Sequence, residues 1–353
     1  MLAAILVAQT LLSAPQLRVV VRNNLNIERP SETVEVPAAS LGALAKDLTR
    51  VHVFDSSGHE VLAQALPDRL IFQTDMPASG EKSFDLRTGD VRTYRKEDFR
   101  VYGRFVRERF DDFAWENDRV AHRMYGAALE TWQNEPLTSS AVDIWLKRTR
   151  RLVINDWYMV DNYHHDNGDG ADFYSAGRSR GCGGSGVWRD GHLVVSNNFR
   201  NSRVLAAGPI RLVFELDYPN FETKRITLDA GQNFGRFESR YADVVNTYAA
   251  GIKKFPSTDL RVERAAGWIR AWGPVTGGMG HYTCTLVFDP SSIVDVTEGD
   301  GNHLVVARAP AVYYVGTAWD QSGDFATVAD WDRYVEQWTQ RVRSPLRVEV
   351  PSP

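Results

Sequence analysis

Residues 211–241 read RLVFELDYPNFETKRITLDAGQNFGRFESRY, and their pattern decides the fold class. Apolar and polar residues alternate in 211–217, again in 224–229 and again in 236–241. Successive side chains of a β-strand point to opposite faces, so a period of two is typical of strands with one buried face. Turn-forming residues separate the three runs, which predicts consecutive antiparallel strands.

Strand-like runs recur elsewhere in the chain, at 283–288 and 303–307, and 51–54 with 60–64 reads as a hairpin. One helix is expected near the C-terminal end. Its apolar stripe would be core packing, and Asp324 would be its N-cap. The stripe consists of Val328, Trp331, Val335 and Trp338. The sequence therefore predicts a mainly β protein, a large antiparallel β-sandwich with few short helices.

The composition excludes several classes of protein. The chain has 353 residues, 43% hydrophobic and 24% charged, with a formal net charge of −4. These values exclude a disordered chain, a coiled coil and a collagen-like fibre. The small net charge argues against a nucleic-acid partner, and no interior stretch has the roughly 20 apolar residues of a membrane helix. We expect an N-terminal β region at 15–90, a main sandwich domain at 91–340 and a C-terminal tail at 341–353.

Residues 1–14, MLAAILVAQTLLSA, resemble the end of a secretory signal segment, although a positively charged start is absent. The alternative is a buried first strand. We expect a periplasmic or secreted protein. Cys182 and Cys284, the two cysteines of the chain, could form one disulfide or remain as two reduced thiols.

The first polar segment, 111–126, contains Trp115, Glu116, Arg119 and Arg123. Its carboxylates and guanidinium groups could be a structural ion-pair network. They could also line a cleft in which an arginine binds a substrate carboxylate through two parallel hydrogen bonds. A second segment, 140–147, would place Lys147 on one face of a strand, turned either to the cleft or to solvent.

The third polar segment, 163–184, is too rich in glycine and charge for a core strand. His164 is a candidate general base, because histidine titrates near neutral pH without large perturbation. Asp166, Asp169 and Asp172 have a spacing that could hold calcium, but a plain turn is favoured over a metal site. We predict no metal and no cofactor.

A fourth segment, 272–282, is a glycine-rich loop that could bring His281 and Tyr282 to a cleft, or a simple turn. The basic stretch 94–109 is expected to be a solvated face. The motif of a serine-hydrolase nucleophile elbow is absent, and so is that of a phosphate-binding loop.

Three motifs resemble those of the domain-of-unknown-function family 4861, found in bacteria that digest polysaccharides. They are Trp115-Glu-Asn-Asp-Arg119 with Arg123-Met-Tyr-Gly126, Tyr163-His164 with Gly168-x-Gly170-x-Asp172-Phe-Tyr174-x-x-Gly177, and Ala318-Trp-Asp-x-Ser-Gly-Asp324. The resemblance spans roughly residues 17–340. It implies a fold similar to the galactose-mutarotase-type supersandwich and work on glycans that contain uronic acids, including dehydration of a terminal uronic acid.

The resulting first hypothesis is an enzyme that eliminates across C4 and C5 of a uronic acid in an oligosaccharide. His164 would be the base, with Asp166 or Asp172 orienting it, and Tyr174 the acid, with His281 or Tyr282 in reserve. The charge of the substrate carboxylate must be offset, and the candidate groups are Arg119, Arg123, Lys147 and Asn117.

Two other hypotheses stay open at this point. One is a glycoside hydrolase whose carboxylate pair is Glu116 with Asp118 or Asp172. The other is a non-catalytic carbohydrate-binding protein, with Trp115 among its aromatic residues. The oligomeric state is left open.

Overall fold

The computed structural model describes residues 16–133, 137, 140–160 and 162–351. The expected signal segment, 1–14, lies outside the described residues. The chain divides into two compact units. The first contains the chain up to Tyr94 together with the chain from Pro345, and the second is Arg95–Ser344.

The first unit consists of two antiparallel sheets that share an apolar core. Its strands are β1 (Gln16–Arg22), β2 (Arg29–Pro37), β3 (Val51–Phe54), β4 (Glu60–Val61), β5 (Ala63–Leu66), β6 (Arg69–Met76), β7 (Glu81–Thr88) and β26 (Arg347–Glu349). The sheets have the orders β26-β1-β7-β3-β4 and β2-β6-β5. The expected hairpin is confirmed, since Phe54 of β3 pairs with Glu60 of β4.

The C-terminal segment differs from the expected tail. Strand β26 pairs with β1 in antiparallel register, with Val348 opposite Val21. Val348 packs against the core of the first unit. The backbone of this segment is satisfied by a sheet edge, so the first unit is completed by residues far away in sequence.

The described residues of the second unit form three antiparallel sheets. Its strands are β8 (Val101–Val106), β9 (Asp112–Asn117), β10 (Ala121–Met124), β11 (Val142–Lys147), β12 (Gly170–Ala171), β13 (Cys182–Arg189), β14 (His192–Val194), β15 (Asn201–Ala206), β16 (Arg211–Tyr218), β17 (Glu222–Asp229), β18 (Phe234–Tyr241), β19 (Thr247–Lys253), β20 (Asp259–Glu263), β21 (Trp268–Pro274), β22 (His281–Val287), β23 (Ile293–Gly299), β24 (Asn302–Arg308) and β25 (Ala311–Trp319). The orders are β12-β11-β10-β9-β8, β14-β13-β19-β24-β23 and β15-β16-β17-β18-β25-β22-β21-β20.

The alternating stretch 211–241 forms β16, β17 and β18, as predicted. Phe214 lies opposite Ile226, and Ile226 lies opposite Phe237, so one face of the eight-stranded sheet is apolar. That face packs with side chains of both five-stranded sheets in one continuous core. The large antiparallel β-sandwich is therefore confirmed, with burial of these side chains contributing about 1.5–3 kcal/mol each.

The described residues contain two α-helices, α1 (Ile154–Tyr158) and α2 (Val328–Arg343). The apolar stripe of α2 is core, as predicted, since Trp331 and Val335 are fully buried. The predicted cap is wrong, because Thr327 caps α2 and forms a reciprocal pair with Asp330. Asp324 instead accepts hydrogen bonds from arginine side chains. Among the described residues, no helix has the length and apolar character needed to cross a bilayer.

Cys182 of β13 and Cys284 of β22 form a disulfide, which settles the alternative that the sequence left open. The bond joins a five-stranded sheet to the eight-stranded sheet and closes a separation of 102 residues. Both cysteines are fully buried. The crosslink therefore lies inside the sandwich and restricts the unfolded chain over a long loop.

Replacing both cysteines by alanine is expected to lower the free energy of unfolding by about 2–5 kcal/mol, because the unfolded chain regains the freedom of that loop. Urea unfolding measured with and without a reductant checks this. The wild type should become less stable in the reductant, and the double variant should not respond to it. Equal stability of the two proteins without reductant would contradict the prediction.

Candidate functional site

The three family-like motifs contact one another in the second unit. Arg119 donates to Asp324 over 2.7 Å, and Arg123 donates to Asp172 over 2.9 Å. The ring of Phe173 lies 5.7 Å from that of Trp319. Segments separated by up to about two hundred residues thus form one polar region, the candidate site.

A buried charge cluster lies at the centre of this region, and we call it the Arg123 cluster. Its members are Arg109, Asp112, Arg123, Asp143, Tyr163 and Asp172. Arg123 on β10 lies opposite Asp143 on the neighbouring strand β11. Its guanidinium donates to Asp143 over 2.6 Å and to the Tyr163 hydroxyl over 3.0 Å. Asp112, at the start of β9, lies 3.6 Å from the same guanidinium.

Negative groups outnumber the positive charge at the centre of this cluster. Burial raises the pKa of Asp112 to about 7, although the Arg123 charge counteracts part of that effect. Burial also raises the pKa of Asp143 and of Asp172. One carboxylate oxygen of Asp112 and one of Asp172 have no hydrogen-bond partner among the described residues. The cluster therefore retains a proton close to neutral pH.

Arg109 differs from the solvated arginine expected in the basic stretch 94–109. Its Nε donates to the Tyr163 hydroxyl over 2.6 Å. Its guanidinium lies over the rings of Phe110, Trp132 and Tyr163 at 5.1–5.7 Å from their centroids. These cation–π contacts place a second positive charge beside the carboxylates, where it lowers the pKa of Asp112 and Asp172 in part.

An Asp112→Asn variant is expected to change how stability depends on pH. The native pKa of Asp112, about 7, lies above the value of 3.8 for an unperturbed aspartate, so the folded state binds this proton more tightly. The resulting stabilisation is fully present below pH about 4 and is lost as the pH rises to about 7. Asparagine does not titrate. Urea unfolding at several pH values should therefore show the variant gaining stability relative to wild type from pH 4 to 8, and a constant difference would contradict this.

His164 is half exposed at the edge of the Arg123 cluster. Its Nδ1 lies 2.8 Å from the backbone oxygen of Asp172 and 3.6 Å from the carboxylate of the same residue. A carbonyl can only accept, so Nδ1 carries the hydrogen and Nε2 presents its lone pair. This orientation by Asp172 suits a general base. Asp166 does not take this role, because its oxygens bind Arg148 and backbone amides.

Tyr174 lies two residues after Asp172 and is almost fully buried. Its ring contacts those of Phe255 and Tyr282 at centroid distances of 5.4 and 5.3 Å. Its hydroxyl has no hydrogen-bond partner in the part of the chain that the structure describes. Burial holds the pKa of Tyr174 well above the usual tyrosine range, so the hydroxyl, which is itself buried, stays protonated.

His281 and Tyr282 begin strand β22 and point in different directions. His281 is half exposed, its Nδ1 lies 3.0 Å from a carboxylate oxygen of Asp320, and its ring stacks on Trp272. Tyr282 is buried against Tyr174. Both therefore belong to the candidate site, His281 at its exposed rim and Tyr282 in its wall.

The position of Lys147 does not fit the catalytic role that was expected for it. Its ammonium group is buried and donates to Glu116 over 2.6 Å, and to the backbone oxygens of Asn117 and Arg151 over 2.8 Å each. These bonds use all three of its hydrogens. The second oxygen of Glu116 accepts from the Ile154 amide. Lys147 and Glu116 thus form a saturated internal ion pair that supports β9, β11 and α1.

Three further candidates of the first polar segment also have structural partners. Trp115 is buried between His122 and Phe214 and is not an open platform for a sugar. The Asn117 amide donates to two backbone oxygens and accepts from the backbone amides of the following turn. Arg119 is bound by Asp324. The contacts of these three residues are therefore with other parts of the protein, and they support the fold around the site.

The Asp166–Asp172 loop does not gather its carboxylates around a common point. Asp166 pairs with Arg148, Asp169 with Arg151, and Asp172 with Arg123. Among the described residues, no group of three or more acidic, histidine or cysteine side chains is arranged to hold a metal. The loop is a turn closed by ion pairs.

Asp320, Lys253 and Phe255 are site residues that sequence reasoning missed. Asp320 lies within the third motif but was not linked to His281. Lys253, at the end of β19, donates to the backbone oxygen of Ser175, next to Tyr174. No local pattern marks it, because it reaches the site only through the pairing of β19 with β13 and β24.

The chain belongs to the family described as domain of unknown function DUF4861, which matches residues 21–348. A protein of Formosa agariphila named "Uncharacterized protein P7" is 29% identical over 376 residues, covering 94% of this chain and 93% of that protein. A solved structure of a protein in the glycosyl hydrolase family 38 from Enterococcus faecalis is similar with a TM-score of 0.50 at 10% identity. The similarity covers 96% of this chain and 47% of that one, so the chain spans about half its length. At this identity the likeness concerns the fold.

Proposed function

We propose that the protein is a periplasmic or secreted carbohydrate-active enzyme that acts on oligosaccharides containing uronic acids by elimination, as a dehydratase or a lyase. The observation that carries the proposal is the pairing of an oriented base with a protonated acid. His164 presents Nε2 at the exposed edge, and Tyr174 keeps a hydroxyl without a partner among the described residues. His164 is bonded to the backbone oxygen of Asp172, two residues before Tyr174, so both side chains belong to one short segment of the candidate site.

The elimination can be written with these two groups. His164 Nε2 removes the proton from C5 of the uronic acid, and the electron pair of that C–H bond forms the C4=C5 double bond. The C4–O bond breaks, and the oxygen takes the proton of the Tyr174 hydroxyl. The group that leaves is water in a dehydratase and a sugar hydroxyl in a lyase. Net transfer of the proton from His164 to Tyr174 restores the enzyme.

Several further observations support parts of the proposal. The sandwich fold is similar to part of a protein in a glycosyl hydrolase family, which favours a carbohydrate ligand. The disulfide between Cys182 and Cys284 favours an oxidising compartment, such as the periplasm or the cell exterior. The exposed rim offers the half-exposed imidazole of His281, a polar group that can bind a sugar hydroxyl.

A carboxylate pair for hydrolysis is less well supported. Glu116 is bound by Lys147, and Asp118 accepts from Arg100 over 2.6 Å and from the Gly231 amide over 2.6 Å. Asp172 is bound by Arg123. Carboxylates already engaged in this way are poorly placed to protonate a glycosidic oxygen or to attack a sugar.

The test is to incubate the purified protein with a panel of uronic-acid oligosaccharides and follow ultraviolet absorbance. Elimination creates a double bond conjugated with the carboxylate, so the absorbance should rise. A chelator should not change the rate, because arginines and backbone amides occupy the aspartates of the Asp166–Asp172 loop. New reducing ends without absorbance would indicate hydrolysis, and binding without either product would indicate a carbohydrate-binding protein. Both results would contradict the proposal.

A further inference from the structure

The elimination chemistry needs a positive group for the substrate carboxylate, and the cations first considered are occupied. Arg123 is bound by three carboxylates, Arg119 by Asp324, and Lys147 by Glu116. Arg119 shares Asp324 with Arg150, so its charge is offset only in part. Arg109 has no ion pair among the described residues, but its guanidinium lies against three aromatic rings beside the buried carboxylates. A cation of the same region that has no carboxylate partner among the described residues is better suited to bind the uronate than Arg123 or Lys147.

Lys253 is positively charged, lies in this region and has no carboxylate within ion-pair distance among the described residues. By contrast, Lys224 lies 2.6 Å from Glu222, and Lys254 lies 2.6 Å from Glu298. Lys253 is half-buried, and its Nζ donates to the backbone oxygen of Ser175. That bond uses one of its three hydrogens and leaves two for a ligand.

The surroundings of Lys253 are partly apolar and aromatic. Its Nζ lies 4.5 Å from the centroid of the Phe255 ring. Phe255, Tyr174 and Tyr282 contact one another with centroid distances of 5.3–5.8 Å. Partial burial lowers the pKa of Lys253, and the Asp143 charge offsets part of that effect. An ammonium group that has lost some water without gaining a full countercharge binds an incoming anion more strongly than a solvated lysine does.

Space is available next to the ammonium group. Gly177, which has a φ of +57°, faces it, and a Cβ added there would lie 3.9 Å from Nζ. Tyr174 is held nearby, because Ser175, the acceptor of the Lys253 hydrogen bond, directly follows it. The Phe255 ring contacts both Lys253 Nζ and the ring of Tyr174, so a carboxylate bound to Nζ would lie next to the aromatic group that contains the proposed acid.

We propose that Lys253 binds the carboxylate of the substrate's uronic acid unit, and that it is the cation that offsets this charge when the C5 proton is removed. This inference rests on the proposed function for the reaction, but the binding step stands by itself. The Asp143 carboxylate does not exclude the anion, because Arg123 binds it over 2.6 Å. The ligand class is an uronic acid at the end of, or within, an oligosaccharide.

The experiment compares Lys253→Ala, Lys253→Arg and Lys254→Ala with wild type. Binding of D-glucuronate and D-galacturonate is measured by calorimetry beside the neutral sugars D-glucose and D-galactose. Lys254 is the matched control, since it is the neighbouring residue, is exposed and pairs with Glu298. We expect wild type and Lys254→Ala to prefer the uronates over the neutral sugars at least tenfold. Lys253→Ala should lose that preference, and Lys253→Arg should keep most of it.

Steady-state kinetics on an oligosaccharide that wild type converts provides the second readout. Lys253→Ala should raise KM at least tenfold for this substrate, and a carboxyl-reduced form of it should bind wild type and variant equally. Uronate preference retained in Lys253→Ala, or absent from wild type, overturns the inference. If the preference for uronates depends on Lys253 but absorbance does not rise, the binding site is supported and the elimination is overturned. A rise in absorbance that is independent of Lys253 supports the elimination and overturns the binding site at Lys253.

Discussion

His164→Ala is expected to lower kcat for elimination by about 10²–10⁴-fold, because a positioned general base contributes a factor of this size. The effect should fall on the chemical step. His164 is half exposed, and its ring makes one hydrogen bond within the described residues, to the backbone oxygen of Asp172, so removing the ring leaves the buried cluster paired. The measurement is the initial rate of ultraviolet absorbance on an oligosaccharide that wild type converts, with thermal unfolding of both proteins alongside.

His165→Ala is the matched control for this variant. His165 is the next residue, of the same type and also exposed. Its replacement should leave kcat within about twofold of wild type. Near-normal turnover in His164→Ala would remove the base assignment. In that case His281, held by Asp320 at 3.0 Å, is the remaining oriented imidazole of the region and becomes the next residue to replace.

The regular part of the fold was predictable because its signal is local. The alternation in 211–241 gives β16, β17 and β18, and the stripe of α2 gives its buried face. Each pattern reflects a single face packed against a core, which a short window of sequence contains in full. The predicted N-cap of α2 was wrong because its environment is set by distant contacts. Asp324 accepts hydrogen bonds from Arg119 and Arg150, which lie far away in the chain.

The candidate site was predictable as a set of segments but not as a set of roles. The motifs containing Arg119, Asp172 and Asp324 were recognised, and the structure joins them. The pairing of each acidic side chain with a basic one depends on strand register and on how separate sheets pack together. Sequence spacing therefore could not tell the saturated Lys147 from Lys253, which lacks a carboxylate partner among the described residues.

Arg123→Leu is expected to destabilise the second unit by about 3–5 kcal/mol, because it leaves buried carboxylates without their countercharge. The three aspartates are almost completely excluded from water, and Arg123 lies within 3.6 Å of each of them. Arg109 remains beside them, but its Nε is bound to Tyr163 and it forms no ion pair within the described part of the chain. Urea unfolding of wild type and variant measures the loss.

The pH dependence separates lost charge pairing from lost packing. Without Arg123 the folded-state pKa of each aspartate rises further, whereas the unfolded-state value stays the same. The variant's deficit should therefore grow as the pH rises from about 4 to 8, and it should be smallest where the carboxylates are protonated in both states. Arg236→Leu, which breaks a partly exposed pair with Glu238, should cost less than about 1 kcal/mol and show little pH dependence. A deficit in Arg123→Leu that is equally large at every pH would mean that the arginine stabilises the fold by filling space, and that the excess of carboxylates around it carries no energetic cost.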